Sequence, residues 1–465
     1  MEKKKIAIGA ISAAVALALI LSVVAVVVCV VGKDGKDGRN GDDFNLYAVY
    51  QELVAEGEFS GTYAEFVAQY LSPDYTFETG SELGVSINAA LTSVVSIEME
   101  CNYRVSGNSL FGGGEYAFTS DGSGVIYSLD KENGDAYIIT NCHVVYPSSQ
   151  ISYEGATYTV SGEPAYKAWL YGQEGLYYDW VSVGGFQQEL QIFRSEAYAI
   201  ECSLVGYVMS EDIAVLKAEN SDILKNSLAT AVTIGDSDKI AVGDEVFLIG
   251  NSLGEGIAAT TGIVSVESEV VPISNSEGDE TLQIRAIRTD AAASPGNSGG
   301  GMFDKSGRLI GILFAGSSDE DSQNMNDVLP VNRVCGIADS ILDAAAESGS
   351  SVTSVQKAVL GVTVYSSAVT QVYDDETDRL YTHDEVTVSE VSRGSASSGK
   401  LQAGDVLVSV TLNGKTVDID HSWQIGEILW QVRLGDTLSL LVERDGGEVS
   451  VELSFDSESY FTSVD

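Results

Sequence analysis

A succession of short apolar segments broken by glycine turns fills the chain from about Val85 to Ile341 and most constrains its fold. VVSIEM, SGVIYSL, AYIIT, IAVLKA, EVFLIG, GIVSVESEVV, LQIRAIRTD and LIGILFA each have the composition and spacing of a β-strand. Regularly spaced strands with turns between them build an antiparallel barrel or sandwich, and the expected class is mainly β. Between two of these strands, Glu132-Asn133-Gly134-Asp135 favours a tight hairpin turn. The helical stretch SILDAAAES closes the region. Beyond a serine-rich joint near Gly349, a further unit mixes strands with one helix near Trp423 to Val432.

The N-terminal part is of a different kind. Ile6 to Gly32 carries no charge, and about 20 apolar residues span a bilayer. Lys3, Lys4 and Lys5 precede it, which predicts a cytoplasmic tail over 1–5, a single-pass anchor over 6–32 and export of the rest. A cleaved signal peptide is the alternative. Its apolar core is usually shorter and ends at small residues, whereas this run ends Val-Val-Cys-Val-Val-Gly. Cys29 follows valines, unlike a lipoprotein cysteine. GKDGKDGRNGDD has glycine at every third place but no proline and few triplets, so it reads as a flexible linker over 33–43 and not a collagen helix. LYAVYQELVAEG and GTYAEFVAQYL predict a short helical stalk over 44–80.

Acidic residues outnumber basic ones 68 to 25, so the surface repels nucleic acid, and that class of partner is set aside. Four cysteines lie beyond the apolar run: Cys101, Cys142, Cys202 and Cys335. They permit two disulfides in an exported domain, and their spacing selects no pairing. No CxxC or Cys/His metal pattern is present, and neither metal nor organic cofactor is expected.

Of three histidines only His143 lies in the β-rich region, ending a strand in YIITNCHVV. By itself it reads as a structural histidine. Asp212 opens the apolar strand of SEDIAVLK, where a carboxylate caps a turn or, in a serine protease, orients the imidazole and stabilises its cation. DAAASPGNSGG ends in Gly296-Asn297-Ser298-Gly299-Gly300. Pro, Gly and Asn make it a tight loop, and glycines around a serine also expose Oγ and aim N–H groups at a developing oxyanion. GNSGG fits the nucleophile elbow of α/β-hydrolases too, but those enzymes place acid and histidine after the serine and a helix behind it. Here strand–turn–strand follows, and His383 and His421 fall in the C-terminal unit. The order His143, Asp212, Ser298 matches the chymotrypsin-type arrangement.

TNCHVV, DIAVLK, the GDS at Gly235, VGDEVFLIGNSLG, TTGIVS, RTDAAASPGNSGG and GRLIGI, in that order, resemble the HtrA-type (Deg) trypsin-like serine proteases. The resemblance implies a chymotrypsin-like double β-barrel over 81–348 with the site between the barrels and no cofactor. It implies His143, Asp212 and Ser298 as the triad and the backbone N–H groups of Gly296 and Ser298 as oxyanion donors. Six positions before the nucleophile, where basic-specific relatives on this fold hold an acid, this chain has Ala292, which implies a first specificity pocket for small or medium apolar side chains.

The C-terminal unit, 355–456, resembles the PDZ domains that follow such proteases, on VLGVTV and on VSEVSRGSASSGKLQAGDVLVSVTLNGKTV from Val388. Leu360, Gly361 and Val362 would then bind the C-terminal ends of peptides by strand addition, against the alternative of a module that only braces the protease. The family likeness further implies unfolded or damaged exported polypeptides as substrates, and a homotrimer. The two rival readings are a proteolytically silent or ligand-gated chaperone and a peptide sensor. The stretch from His143 to Asp212, 69 positions long and rich in aromatics, exceeds the family's usual length and is read as an elaborated surface hairpin ahead of a substrate-binding element.

Overall fold

The computed structural model describes residues 82–105, 115–153, 156–183, 187–274, 281–316, 325–375 and 379–465. The tail, anchor, linker and stalk expected over 1–80 lie outside the described residues. Among the described residues no helix is long and apolar enough to cross a membrane.

Two closed barrels follow a first helix, α1 (Glu82–Leu91). The first barrel contains β1 (Val94–Val105), β2 (Glu115–Asp130), β3 (Asp135–Thr140), β6 (Ala165–Leu170), β9 (Ile200–Val208) and β10 (Ile213–Ala218). They pair in the order β1-β2-β3-β10-β9-β6, and β6 closes on β1. The second barrel, β11 (Glu245–Asn251), β12 (Ile257–Ser274), β13 (Thr281–Thr289), β14 (Gly301–Asp304), β15 (Leu309–Gly316) and β16 (Asn326–Pro330), closes in the order β11-β12-β13-β16-β15-β14. The strand pattern called for an antiparallel barrel or sandwich, and the chymotrypsin-like double barrel implied by the family resemblance is the fold observed.

Alternation along the strands explains how the barrels join. In β10, Ala214, Leu216 and Ala218 point into the first barrel, while Ile213 and Val215 point outward. In β11, Val246 and Leu248 fill the second barrel, while Phe247 and Ile249 point outward. The outward residues meet in one shared apolar layer that also takes Val125, Ile139, Phe303 and Ile312. Strands apolar on both faces are therefore required here, and near-continuous runs such as YIIT and FLIG result.

Helix α4 (Val331–Ser348) covers that layer with Val331, Val334, Ile337, Ala338 and Ile341, the i, i+3, i+4, i+7 stripe of an amphipathic helix. It ends at Gly349, which is left-handed (φ 68°) and donates its N–H to Ala345 O. The helix starts at Val331, nine residues before the Ser340 of SILDAAAES, because its first turns carry Val331, Asn332 and Gly336, weak signals in isolation. Helix α1 was not expected at all. Its VSIN core looks strand-like and it buries only Ala90 and Leu91.

The long stretch between His143 and Asp212 is more than a surface hairpin. It supplies barrel strands β6 and β9, the small hairpin of β4 (Gln150–Tyr153) and β5 (Ala156–Val160), and a separate hairpin of β7 (Tyr177–Val183) and β8 (Gln187–Phe193).

In the C-terminal unit, β18 (Val362–Asp374), β19 (Arg379–Val391), β20 (Val406–Leu412), β22 (Thr437–Arg444) and β23 (Gly447–Ser454) form a sheet in that order, with β21 (Lys415–Asp418) on β20. Helix α5 (Ser422–Leu429) packs with it around a core of Val386, Val388, Leu407, Val442 and Phe455. Outside this sheet, β17 (Val355–Ala358) pairs with β24 (Phe461–Val464), beyond the expected boundary at 456. Trp430 inserts into the layer under α4, so close to Gly336 that a Cβ there would lie 2.7 Å from the Trp430 Cβ.

Candidate active site

His143 lies in the short helix α2 (Cys142–Val145) directly after β3. Cys142, Val144 and Val145 on either side are buried and anchor the turn. Asp212 arrives from the neighbouring strand, between a 3-10 turn (Met209–Glu211) and β10, which pairs with β3. It adopts the left-handed conformation (φ 52°, ψ 39°), which Asp tolerates better than most residues. That kink turns its carboxylate onto His143 instead of along the strand.

Four hydrogen bonds tie the two segments. Asp212 Oδ2 accepts from His143 Nδ1 (2.8 Å) and Oδ1 from His143 N (3.0 Å). Asp212 O accepts from Cys142 N (3.2 Å) and Asn141 Nδ2 (3.0 Å). An ionised carboxylate only accepts, so Nδ1 carries the ring proton and Nε2 is the basic nitrogen. The Asp212 side chain is 6% exposed and that of His143 37%, so the acid is shut away while one side of the imidazole stays open. Burial pulls the imidazole pKa down, but the charge and hydrogen bond of Asp212 outweigh it and hold His143 above its ordinary value.

Ser298 sits on the turn before β14 of the second barrel, partly buried. Two left-handed glycines shape that turn: Gly296 (φ 92°) and Gly299 (φ 84°). A Cβ on Gly296 would lie 2.2 Å from Asn251 O, and one on Gly299 2.0 Å from Ser123 O, so neither position admits a side chain without rebuilding the turn. Among the described residues the N–H groups of Gly296 and Ser298 donate to no protein acceptor, and no hydrogen bond joins Ser298 to His143.

Ser123 was overlooked in the sequence and turns out to hold the serine turn to the first barrel. It is fully buried; its N–H donates to Ser298 O (2.8 Å) and its Oγ to Gly296 O (2.8 Å). Its Oγ accepts from Asn251 N (2.7 Å) and its carbonyl from Thr140 Oγ1 (2.7 Å). The available signal was Gly122-Ser123-Gly124: added Cβ atoms would lie 2.4 Å from Val144 and 2.6 Å from Ile138 and Ile97. A polar residue between two obligatory glycines in an apolar strand marks a close backbone approach.

Cys101, Cys142, Cys202 and Cys335 form no disulfide among the described residues. Burial, with Glu201 and Asp339 respectively adding to it, pushes the Cys202 and Cys335 thiols up to about 12. These are structural thiols.

A family model for the trypsin-like peptidase domain matches residues 122–312, the stretch holding His143, Asp212 and Ser298. The chain is 28% identical over 391 residues to the serine protease Do-like HtrA of Bacillus subtilis, covering 82% of this chain and 74% of that protein. It is 27% identical over 380 residues to the HtrA of Lactococcus lactis subsp. lactis, covering 77% and 78%. The chain is a serine endopeptidase, with a trypsin-like peptidase domain and a likeness to the HtrA-type proteases. Among solved structures, the HtrA-type protease AlgW with decapeptide aligns at 24% identity and a TM-score of 0.42, covering 80% of this chain and 97% of that one.

In this serine endopeptidase the three residues singled out in the C-terminal unit lie together at the start of β18. Leu360 is buried, and its carbonyl accepts from Ser397 Oγ (2.6 Å). Gly361 is left-handed (φ 74°), and its carbonyl accepts from Ser392 N (2.8 Å). Val362 opens β18, which pairs with β19 on one side and forms the edge of its sheet on the other. The unit is held to the second barrel by a buried ion pair between Arg285 of β13 and Glu427 of α5, with the Arg285 guanidinium 3.4 Å over the Trp423 ring. Burial raises the Glu427 carboxyl to about 7 although Arg285 opposes it.

Proposed function

We propose that the enzyme cleaves polypeptides through an acyl-enzyme in which Ser298 is the nucleophile, His143 the general base and Asp212 the group that orients and stabilises the imidazole. The observation that carries this reading is the His143–Asp212 pair, locked by four hydrogen bonds so that the basic Nε2 is left for a serine proton. Ser298 Oγ attacks the carbonyl as His143 takes its proton, and the N–H groups of Gly296 and Ser298 stabilise the tetrahedral oxyanion. His143 then protonates the leaving amine, and water repeats the sequence on the ester.

The first specificity pocket takes small or medium apolar side chains on this reading. Position 292 holds an exposed alanine and no acid, and its carbonyl accepts from Thr260 Oγ1 (2.7 Å). Substrates are unfolded or damaged exported chains, because apolar residues become accessible there. The apolar run over 6–32 anchors the enzyme in the membrane with its catalytic part outside the cytoplasm, and trimer formation belongs to the same reading. The C-terminal unit acts as a PDZ domain: an extended peptide adds to the free edge of β18, with its carboxylate at the loop around Leu360, Gly361 and Val362.

The experiment is cleavage of casein by the full chain in detergent beside its Ser298→Ala variant. Cleavage by the parent alone is expected, the variant retaining only about 10³–10⁴-fold over water. Equal cleavage by both would remove Ser298 from the mechanism. The absence of a Ser298–His143 hydrogen bond favours one second reading, a protease gated by a ligand at the C-terminal unit. Activation of an otherwise inert parent by added peptides would support it.

A further inference from the structure

We infer that Arg194 and Glu174, both from the long stretch between His143 and Asp212, are positioning residues that fix the direction of the Gly296 N–H. The inference rests on the assignment of that N–H as an oxyanion donor and adds the residues that aim it.

The argument begins with one peptide group. Pro295 O and Gly296 N–H belong to the same planar trans peptide, so they point in opposite directions. Leu253 N donates to Pro295 O at 2.7 Å. Anchoring the oxygen on that side sends the Gly296 N–H out of the other. Were the oxygen released, the peptide could rotate and the donor would be lost, since Gly296 alone puts up little conformational resistance.

Leu253 needs outside support. It lies in the 3-10 turn Ser252–Gly254 at φ 57°, ψ 17°, an uncommon conformation for a bulky residue, and its side chain is 61% exposed. Packing of its own side chain therefore does not hold it there. Strain of this kind persists only where surrounding structure imposes it.

The inserted stretch supplies that structure at two points just after Leu253, Gly254 and Ile257. At the first, Arg194 Nη2 donates to Gly254 O (3.1 Å) while Nη1 pairs with Asp121 Oδ1 (2.5 Å) and lies 3.7 Å from Glu98 Oε2. The guanidinium is 5.5 Å over the Trp169 ring, and Trp169 Nε1 donates to Ser195 O (3.0 Å), next to Arg194 in the chain. The other clamp is Glu174: its Oε1 accepts from Ile257 N (3.1 Å) and its backbone carbonyl accepts from Ser195 N (2.9 Å). Arg194 and Glu174 are 8% and 6% exposed, in a chain whose charges otherwise lie mostly at the surface. Burying two charged side chains against one turn is costly unless their bonds are all needed there. The path from the insertion to the oxyanion donor is thus Arg194 and Glu174, the 252–257 turn, Leu253 N–H, Pro295 O and Gly296 N–H.

The test uses the full chain with Arg194→Met, Arg194→Lys, Glu174→Gln, Gly296→Ala and the exposed control Arg308→Gln. Two readings are taken: turnover of fluorescent casein, split into kcat and KM, and affinity for a valine-type peptide boronate, which forms a tetrahedral adduct on the serine. Losing one oxyanion donor costs about 10²–10³-fold in kcat, so misaiming it should cost about 10- to 100-fold in Arg194→Met, and less in Glu174→Gln, whose amide oxygen can still accept from Ile257 N. KM should hold, boronate affinity should fall in step with kcat, and Arg194→Lys should recover part of both. A purely structural role would lower the amount of active enzyme, seen by active-site titration, without moving kcat per titrated site or boronate affinity, and that result overturns the inference. Loss of activity in Gly296→Ala with Arg194→Met unchanged also overturns it and leaves the donor assignment standing. Full activity in Gly296→Ala would instead remove the donor assignment, and the inference with it.

Discussion

The protein contains two histidine–aspartate pairs of nearly equal length. His143 Nδ1 lies 2.8 Å from Asp212 Oδ2 in the protease, and His383 Nδ1 lies 2.9 Å from Asp420 Oδ1 in the C-terminal unit. What separates them is the setting of the acid. Asp212 is 6% exposed, while Asp420 is 42% exposed. Asp212 also receives a backbone N–H on its second oxygen, whereas water competes for Asp420. A distance alone therefore says little. An acid held dry and in a single orientation can fix a tautomer and stabilise a cation, and one open to water largely cannot.

The sharpest way to break the comparison is to neutralise each acid. Asp212→Asn keeps the shape but favours the wrong tautomer, and casein turnover should fall by about 10⁴-fold. Asp420→Asn should leave it unchanged. Similar losses in both would mean that the two pairs are equivalent and the burial argument is wrong.

The pH dependence sharpens the same point. His143 must be neutral to act as base, and its pKa is raised above 6.5, so kcat/KM should rise through a midpoint above that value. Stability runs the opposite way. A raised folded-state pKa gives a contribution that is complete below about 6.5 and is lost as pH rises through the folded value. In Asp212→Asn the rate midpoint should move down, because only burial then acts on the ring. A midpoint that stays in place would remove Asp212 as the cause.

Smaller effects concern the join between protease and C-terminal unit. Arg285→Met strands Glu427 in a buried site, and breaking such a pair costs about 3–5 kcal/mol. Because the Glu427 carboxyl already titrates at about 7, the loss should be largest well above that pH and shrink below it, where the acid takes up a proton. Urea unfolding on both sides of neutrality reads the difference. The smallest effect belongs to Arg308→Gln. Its partner Asp304 is only a turn away and the arginine is 55% exposed, so the unfolding free energy read from urea curves should shift by about 0.5 kcal/mol or less.

Much of the fold was readable because apolar alternation reports which face of a strand is covered. IAVLKA and EVFLIG announce strands covered on both faces, as strands of two packed barrels must be. Helix α1 was not readable, since Val85, Ser86 and Ile87 give a strand-like local signal and tertiary contact at Ala90 and Leu91 decides against it. The reach of α4 was half readable: its alanine-rich end carries helix propensity, while its first turns are helical because Val331 and Val334 cover the barrel layer.

The sequence by itself determined the mainly β class, the order of His143, Asp212 and Ser298, and the glycines at 296 and 299, because periodicity, residue chemistry and backbone freedom are local properties. Only the tertiary structure decided that Ser123 would hold a turn 173 positions away, that the cysteines would stay apart, and that an insertion taken for a surface hairpin would clamp the turn beneath Gly296. Those contacts depend on which faces meet after the chain has closed two barrels. Alternation tells a residue that it will be covered, and the closing of the barrels chooses by what.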